Sequence, residues 1–210
     1  ADREHRCLNG KGIGHGRHGG FAEYIVLTEH SLVRLPEGLD AVSSALLACP
    51  IGVALQAVKV TAKVSTGETV VVTGAGGGIG SHALQAAAAL GAKVLAVTSS
   101  PEKEPTLLNL GAAEVLVLNG IDFAELVMAL TEDRGADAVI DAVGSSLYPS
   151  TLRSLAQYGR LLFLGEITGE NISLNPAEVI FRDASILGTS GVSRAAIKQA
   201  ASMVLDRVIR

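Results

Sequence analysis

From residue 69 onward, short apolar runs alternate with amphipathic segments along the chain. The apolar runs predict buried strands at 69–73, 93–98, 114–117, 138–141, 160–164 and 184–188. The intervening segments predict helices at 79–90, within 101–110, and at 122–131, 148–155 and 194–205. Strands that alternate with helices over short connections are typical of a parallel sheet covered on both faces. We therefore predict an α/β fold with a doubly wound parallel sheet.

The first third of the chain has a different pattern. Residues 1–20 are polar and rich in glycine, which predicts a loop. Two short apolar stretches, 21–27 and 31–36, predict strands, and 41–60 has helical character interrupted by Pro50 and Gly52.

Composition excludes several classes of function. The net charge is −4 without a basic cluster, and there are three Tyr, four Phe and no Trp, so we expect no nucleic-acid partner. No apolar run reaches the length of a membrane span, and the charged start is unlike a signal peptide. Two cysteines, Cys7 and Cys49, form no disulfide framework. These features predict a cytoplasmic protein without membrane contact.

The glycine-rich stretch "TVVVTGAGGGIGS" carries the strongest chemical signal. It follows a predicted strand and opens a predicted helix, the context in which glycines let a backbone approach a pyrophosphate. A P-loop is excluded because Gly80 is followed by Ser81 and His82, not by Lys and Ser or Thr.

Two dinucleotide-binding registers fit the same glycines. The pattern of short-chain dehydrogenases, T-G-x-x-x-G-x-G, is met from Thr73, but no tyrosine in the chain is followed by lysine four residues later, so its catalytic pair is absent. The register A-x-G-x-x-G places Ala75, Gly77 and Gly80 at its fixed positions.

Segments along nearly the whole chain resemble medium-chain dehydrogenases/reductases of the zinc-type alcohol dehydrogenase kind. They include "REHRC", "GGFAEYIVL", "ALLACPIGVALQAV", "GETVVVTGAGGGIGSHALQ", "RGADAVIDAVG" and "LAQYGRLLFLGEITG", in family order. The resemblance implies a Rossmann domain that uses the A-x-G-x-x-G register. It also implies three parts: a remnant of a β-rich GroES-like catalytic domain at 1–45, the dinucleotide-binding domain at 46–190, and the start of a C-terminal return segment at 191–210. On this reading the chain is a fragment of a longer enzyme.

The resemblance also suggests roles for both cysteines. Cys7 resembles the last of four thiolates of a structural zinc loop, and Cys49 stands where the family has a ligand of the catalytic zinc. The other ligands would precede this chain, so zinc is an expectation for the full-length protein only. Relatives that reduce activated alkenes use no metal, and Cys49 is alternatively a small buried residue.

The end of the second strand indicates which cofactor is preferred. NAD-binding domains usually place a carboxylate here, but this chain has Thr98, Ser99 and Ser100, with Lys103 close behind. Hydroxyls and a lysine accept a 2′-phosphate that a carboxylate would repel, so we expect NADP(H) to be favoured over NAD(H). An alternative is that Thr98 and Ser99 cap the next helix.

Further cofactor contacts are expected at the carboxyl ends of the later strands, from Asp141, Val143, Gly144 and Gly165. We interpret Asp141 as a loop-capping carboxylate and the two glycines as points of close approach for the nicotinamide half. With the loop residues Gly74, Ala75, Gly76, Gly77, Gly78, Ile79 and Gly80, these complete the expected cofactor site.

The resemblance implies an oxidoreductase that transfers hydride between NAD(P)H and a small alcohol or carbonyl compound. One alternative is a zinc-independent enoyl-CoA (acryloyl-CoA) or quinone reductase of the same superfamily. Another is a dinucleotide sensor without enzymatic activity. We expect a small-molecule substrate in either enzymatic case, and no catalytic residue can be named.

The last predicted strand suggests a partner. Residues 184–190 form an edge of the predicted sheet that is apolar at Ile186 and Leu187 and contains no proline. We expect a homodimer through this edge, as the family resemblance also implies.

Overall fold

The structure is a computed structural model that describes residues 9–118 and 122–210. In this part of the chain, six parallel strands form one sheet in the order β3-β2-β1-β4-β5-β6. The strands are β1 Thr69–Thr73, β2 Lys93–Thr98, β3 Glu114–Val117, β4 Ala136–Asp141, β5 Leu155–Phe163 and β6 Ser185–Gly188. The predicted doubly wound parallel sheet is confirmed.

Helices cover both faces of this sheet. The α-helices are α1 Ala41–Ser44, α2 Val53–Leu55, α3 Gly78–Ala89, α4 Glu104–Asn109, α5 Phe123–Leu130, α6 Tyr148–Arg153, α7 Pro176–Ile180 and α8 Arg194–Leu205. Shorter turns are 3-10 helical at Glu29–Ser31, Pro101–Lys103 and Ser145–Leu147, and π-helical at Leu47–Gly52 and Gln56–Thr61. None of the helices in 9–118 and 122–210 combines the length and apolar character needed to cross a bilayer.

Two hydrophobic cores lie on opposite faces of the sheet, because successive side chains of a strand point to opposite sides. In β1, Val70 and Val72 face the core formed with α3 and α8, whereas Val71 faces the core of α5 and α6. All five residues of β1 are buried, as expected of a central parallel strand. This central position fixes the end of β1 in the middle of the sheet's carboxyl edge.

Two predicted boundaries in the second half are wrong. β4 begins at Ala136, two residues earlier than predicted, and β5 begins at Leu155, where the helix 148–155 was expected to end. The register between β4 and β5 shifts near Ala136, and Tyr158 has a positive φ of 63°. Because the start of β5 is irregular, residues 155–159 do not show the apolar run that predicts a strand. α7 was not predicted at all.

The strands predicted at 21–27 and 31–36 are not present. Phe21, Tyr24 and Val26 are almost fully exposed, and no described residue pairs with this segment as a strand. The helical segment at 41–61 is interrupted as expected, but at Cys49, whose backbone is extended, while Gly52 is helical. No boundary between domains is tested, so the three-part division remains a prediction.

Candidate functional site

A cleft of about 580 Å³ lies at the carboxyl end of β1, between the ends of β2 and β4. The chain leaves β1 towards β2 on one side and later returns to β4 on the other, so this is the point where the strand order reverses. The predicted site residues that line the cleft are Gly74, Gly76, Gly77, Gly78, Ile79, Gly80, Thr98, Ser99, Lys103 and Val143. Five others do not line the cleft: Ala75, Ser100, Asp141, Gly144 and Gly165.

The loop between β1 and α3 needs glycine at two positions for its own geometry. Gly74 has a positive φ of 59°. A Cβ on Gly80 would overlap the Gly74 carbonyl and lie 2.9 Å from Cα of Ala75. Gly80 therefore lets α3 pack closely on the strand, as its register predicts. Ala75 is fully buried, and its N–H donates to the carbonyl of Val97 at 3.0 Å.

The start of α3 is open toward the cleft. Gly77 precedes the first helical residue and offers no side chain to cap the free N–H groups. A Cβ on Gly77 would meet the Gly74 carbonyl at 3.3 Å, and one on Gly78 only Pro50 at 4.0 Å. Free N–H groups at a helix N-terminus attract anions such as phosphate.

The end of β2 carries hydroxyls and a lysine, and none of the described residues lining the cleft is acidic. Oγ1 of Thr98 accepts from the N–H of Ser100 at 3.1 Å. Nζ of Lys103 donates to the carbonyl of Gly76 at 2.8 Å, so its ammonium lies over the glycine loop. The 3-10 helix Pro101–Lys103 has no side-chain cap, so the capping role considered for Thr98 and Ser99 is not observed.

Asp141 is fully buried at the end of β4. Its Oδ1 accepts from Oγ1 of Thr73 at 2.5 Å and from the N–H groups of Val143 and Gly144 at 3.0 Å each. Its Oδ2 is buried and has no hydrogen-bond partner among the described residues. Burial raises the pKa of Asp141, against the opposite effect of the three hydrogen bonds. Asp141 therefore has the loop-capping role that we expected.

Gly144 and Gly165 are required for packing between two loops. Gly144 has a positive φ of 95°, and a Cβ there would overlap Oε2 of Glu166. A Cβ on Gly165 would overlap the carbonyl of Ala142. Close packing within the protein is therefore enough to require glycine at both positions. Contact of these glycines with a cofactor stays a prediction.

Glu166 is a residue of this site that the sequence analysis missed. Its carboxylate accepts hydrogen bonds from Ser145, Thr168 and Gly169, although the side chain is exposed. These bonds, led by that from the N–H of Gly169, lower the pKa of Glu166 to about 2. The sequence shows a glutamate shortly before Thr168 and Gly169, but its other partner, Ser145, is 21 residues away in the chain.

The described residues do not form a zinc site. Cys49 is a free, exposed thiol, so the alternative that it is a small buried residue is wrong. No group of three or more His, Cys, Asp or Glu side chains in 9–118 and 122–210 lies close enough together to hold a metal. Cys7 lies outside the described residues. One thiolate cannot hold zinc, which takes four ligands, three of them from protein in catalytic sites.

The chain matches the family described as zinc-binding dehydrogenase over residues 78–206. It is 31% identical over 172 residues to a quinone oxidoreductase of Homo sapiens, covering 82% of this chain and 52% of the relative. It is 33% identical over 189 residues to an acryloyl-coenzyme A reductase of Sulfurisphaera tokodaii, covering 90% and 55%.

Among solved structures, a zinc-binding dehydrogenase from Sinorhizobium meliloti 1021 bound to NADP superposes with a TM-score of 0.85 at 28% identity. The match covers 99% of this chain and 61% of that one. This chain thus spans little more than half the length of the relatives that it matches. With its parallel sheet and glycine loop, the chain belongs to the zinc-binding dehydrogenase family and has a Rossmann-type fold.

Proposed function

We propose that this chain binds NADP(H) for an oxidoreductase that transfers hydride between the nicotinamide and a small-molecule substrate. The observation that carries the proposal is the cleft at the end of β1. It joins an uncapped helix N-terminus to a rim of hydroxyls and a lysine at the end of β2. The solved relative bound to NADP has the same fold.

The residues around the cleft fit a dinucleotide in a defined direction. The N–H groups of Gly78, Ile79 and Gly80 would hold the pyrophosphate, because they lie in the first turn of α3, at its positive end. The N–H of Gly77 already donates to the carbonyl of Gly74 at 2.9 Å. Thr98, Ser99 and Lys103 would hold the adenosine ribose and its 2′-phosphate. The apolar side chains of Val143 and Ile167 would face the nicotinamide. The bound nicotinamide supplies or accepts the hydride, and the protein contributes binding and orientation.

We propose that NADP(H) binds more tightly than NAD(H). A 2′-phosphate would find no described carboxylate lining the cleft and would find the Lys103 ammonium near the loop. Calorimetric titration of the purified chain with NADPH and NADH tests this proposal. Equal affinities would remove the charge argument, and failure to bind either cofactor would overturn the proposed function.

The substrate of the longer protein belongs to one of two chemical classes. A small alcohol or carbonyl compound is our first proposal, with zinc in the full-length enzyme. An activated alkene, as in an enoyl-CoA or quinone, is the second, and the named relatives that reduce acryloyl-CoA and quinones favour it. Zinc content and turnover of both substrate classes by the full-length protein distinguish them. The purified chain should bind NADPH and turn over neither class.

We propose that two copies of the chain pair through β6. The N–H of Thr189 donates to the carbonyl of Phe163 at 3.3 Å. Because alternate N–H groups of a strand point the same way, those of Ile186 and Gly188 point to the open edge. Ile186→Pro should therefore convert a dimer to monomer in light scattering, whereas Leu187→Pro should disturb the pairing with β5 and destabilise the fold. A monomer before mutation would contradict the proposal.

We propose the cytoplasm as the compartment. An exposed free thiol at Cys49 is stable in a reducing environment and is subject to oxidation outside one. Cell fractionation of the full-length protein tests the location, and recovery from a secreted fraction would contradict it.

A further inference from the structure

Two loops form the wall of the cleft that lies across from Lys103. The loop after β4 contributes Val143 and Leu147, and the loop after β5 contributes Ile167. The N–H of Ile167 donates to the carbonyl of Val143 at 3.0 Å, so one backbone bond joins the loops directly. The hydroxyls of Ser145 and Thr168 lie 2.7 Å apart, and the side chain of Glu166 connects the two loops through several more hydrogen bonds.

The Glu166 carboxylate accepts from both loops at once. Oε2 accepts from the N–H of Ser145 at 2.9 Å, and Oε1 accepts from Oγ of Ser145 at 2.8 Å. Oε1 also accepts from the N–H groups of Thr168 and Gly169 at 3.0 and 2.9 Å. One side chain thus closes a ring between residues 145 and 166–169.

The network requires a group that only accepts hydrogen bonds. The Ser145 hydroxyl has one proton and gives it to Glu166, so the proton of the Thr168 hydroxyl goes to Ser145, 2.7 Å away, or to Oε1 of Glu166 at 3.4 Å. An ionised carboxylate satisfies every donor, and its pKa of about 2 keeps it ionised at neutral pH. Glutamine has the same shape, but its NH₂ group would face an N–H or O–H donor on one side.

The position of these loops decides which part of a dinucleotide they touch. β1 lies between β2 and β4, and the glycine loop crosses its end. If the adenosine half lies over β2, the other half extends over β4 and β5. Resting on the proposed function, we propose that Glu166 is a positioning residue that ties the two loops together and so sets the place of the nicotinamide half of the cofactor.

The test compares ligands that share the adenosine half. The purified chain and its variants E166Q and E166A are titrated with NADPH and with adenosine 2′,5′-bisphosphate, and E170Q, at an exposed glutamate of the same segment, is the matched control. We expect NADPH to bind about tenfold more weakly to E166Q, because loops that are no longer tied together would lose one to two hydrogen bonds' worth of contact with the nicotinamide half. Adenosine 2′,5′-bisphosphate should bind all four proteins equally. The nicotinamide fluorescence of bound NADPH should also change in E166Q but not in E170Q.

The outcomes separate the inference from the function on which it rests. If the unmodified chain binds neither ligand, the proposed function fails. If it binds both and E166Q weakens neither, or weakens both equally, the positioning role is overturned. Should E166Q not fold, S145A takes its place because it removes one hydroxyl donor and leaves the backbone bond intact. S145A should weaken NADPH alone, by about threefold, and an unselective effect would again overturn the role.

Discussion

The two walls of the cleft lie on one edge of the same sheet but differ in the hydrogen-bond donors that they leave free for a ligand. The β2 wall, formed by Thr98, Ser99 and Lys103, presents hydroxyls and an ammonium. The β4–β5 wall presents mainly apolar side chains, with the hydroxyl of Ser146 among them, and the nearby carboxylates of Asp141 and Glu166 are engaged with backbone N–H groups. The hydroxyls and the ammonium of the β2 wall are therefore available to a ligand. The backbone N–H groups of the β4–β5 wall instead donate to the protein's own carboxylates.

This difference gives the cleft a direction. No cationic side chain lines the β4–β5 wall in the described residues, whereas a phosphate on the β2 wall would lie near Lys103. The attraction between opposite charges acts only on the β2 side. The charges therefore favour a dinucleotide whose 2′-phosphate lies over β2 and whose uncharged reacting ring lies over β4 and β5. The following changes would break or sharpen this comparison.

The largest effect is expected between the two walls, at the glycine loop. Gly77 has an ordinary φ of −93°, and a Cβ there would meet the Gly74 carbonyl at 3.3 Å. Gly77→Val should therefore shift the Gly74 carbonyl by only a few tenths of an ångström, leave the fold intact, and fill the space before the free N–H groups. Losing two charge-assisted contacts weakens NADPH binding by about 100-fold or more. Calorimetry with circular dichroism measures both properties, and Gly20→Val, at a glycine with open space, is the control. Unchanged affinity would mean that the register is wrong.

The next effect distinguishes the walls by charge. Thr98→Asp keeps an acceptor for the N–H of Ser100 but places a carboxylate near a 2′-phosphate. The repulsion should weaken NADPH about 100-fold, spare NADH, and so reverse the preference. Ser146→Asp, on the β4–β5 wall, is the matched control and should change both cofactors by the same factor. If Ser146→Asp discriminates between them as Thr98→Asp does, the proposed direction of the cofactor is wrong.

A smaller effect is expected from the lysine of the β2 wall. Lys103→Met keeps the aliphatic chain near Gly76 and removes the ammonium. NADPH should bind about tenfold more weakly, with NADH changed less than about twofold, because one charge-assisted contact is lost. Lys93→Met changes an exposed lysine at the start of β2, far from the cleft end of that strand, and should alter neither affinity. Equal losses for both cofactors in Lys103→Met would show that Lys103 serves the loop and not the 2′-phosphate.

The two walls also differ in how far the sequence predicts them. Strands β1 and β2 and the loop after β1 follow local patterns, since an apolar run and a glycine register lie within 30 residues. The β4–β5 wall depends on contacts between distant segments. Glu166 bonds to Ser145, and the irregular backbone at Tyr158 conceals the start of β5. Neither the bond between Glu166 and Ser145 nor the irregular start of β5 produces a periodic pattern of apolar residues in the sequence.

The failed strand predictions at 21–27 and 31–36 have a related cause. Their apolar pattern is genuine, but a strand forms only against a partner that completes its hydrogen bonds. In the described residues, Phe21 and Tyr24 are exposed and lie outside every strand. An alternating pattern of apolar residues predicts that one face of a segment becomes buried. It does not predict which other segment buries that face.

The smallest effect concerns stability, where the two carboxylates of the β4–β5 wall should respond to pH in opposite ways. The folded protein lowers the pKa of Glu166 from 4.5 to about 2. Its stabilising contribution is therefore complete above pH 4.5 and is lost as the pH falls toward 2. The pKa of Asp141 is raised above its usual 3.8, so its contribution is present below that value and is lost as the pH rises through the folded pKa.

Urea unfolding of the unmodified chain, E166Q and D141N from neutral to acid pH measures these opposite slopes. The stability advantage over E166Q should shrink on acidification, whereas the difference from D141N should shift in favour of the unmodified chain. Parallel curves for all three proteins would show that neither carboxylate changes its pKa on folding, and the contrast between a donor-rich and a donor-saturated wall would lose its electrostatic basis.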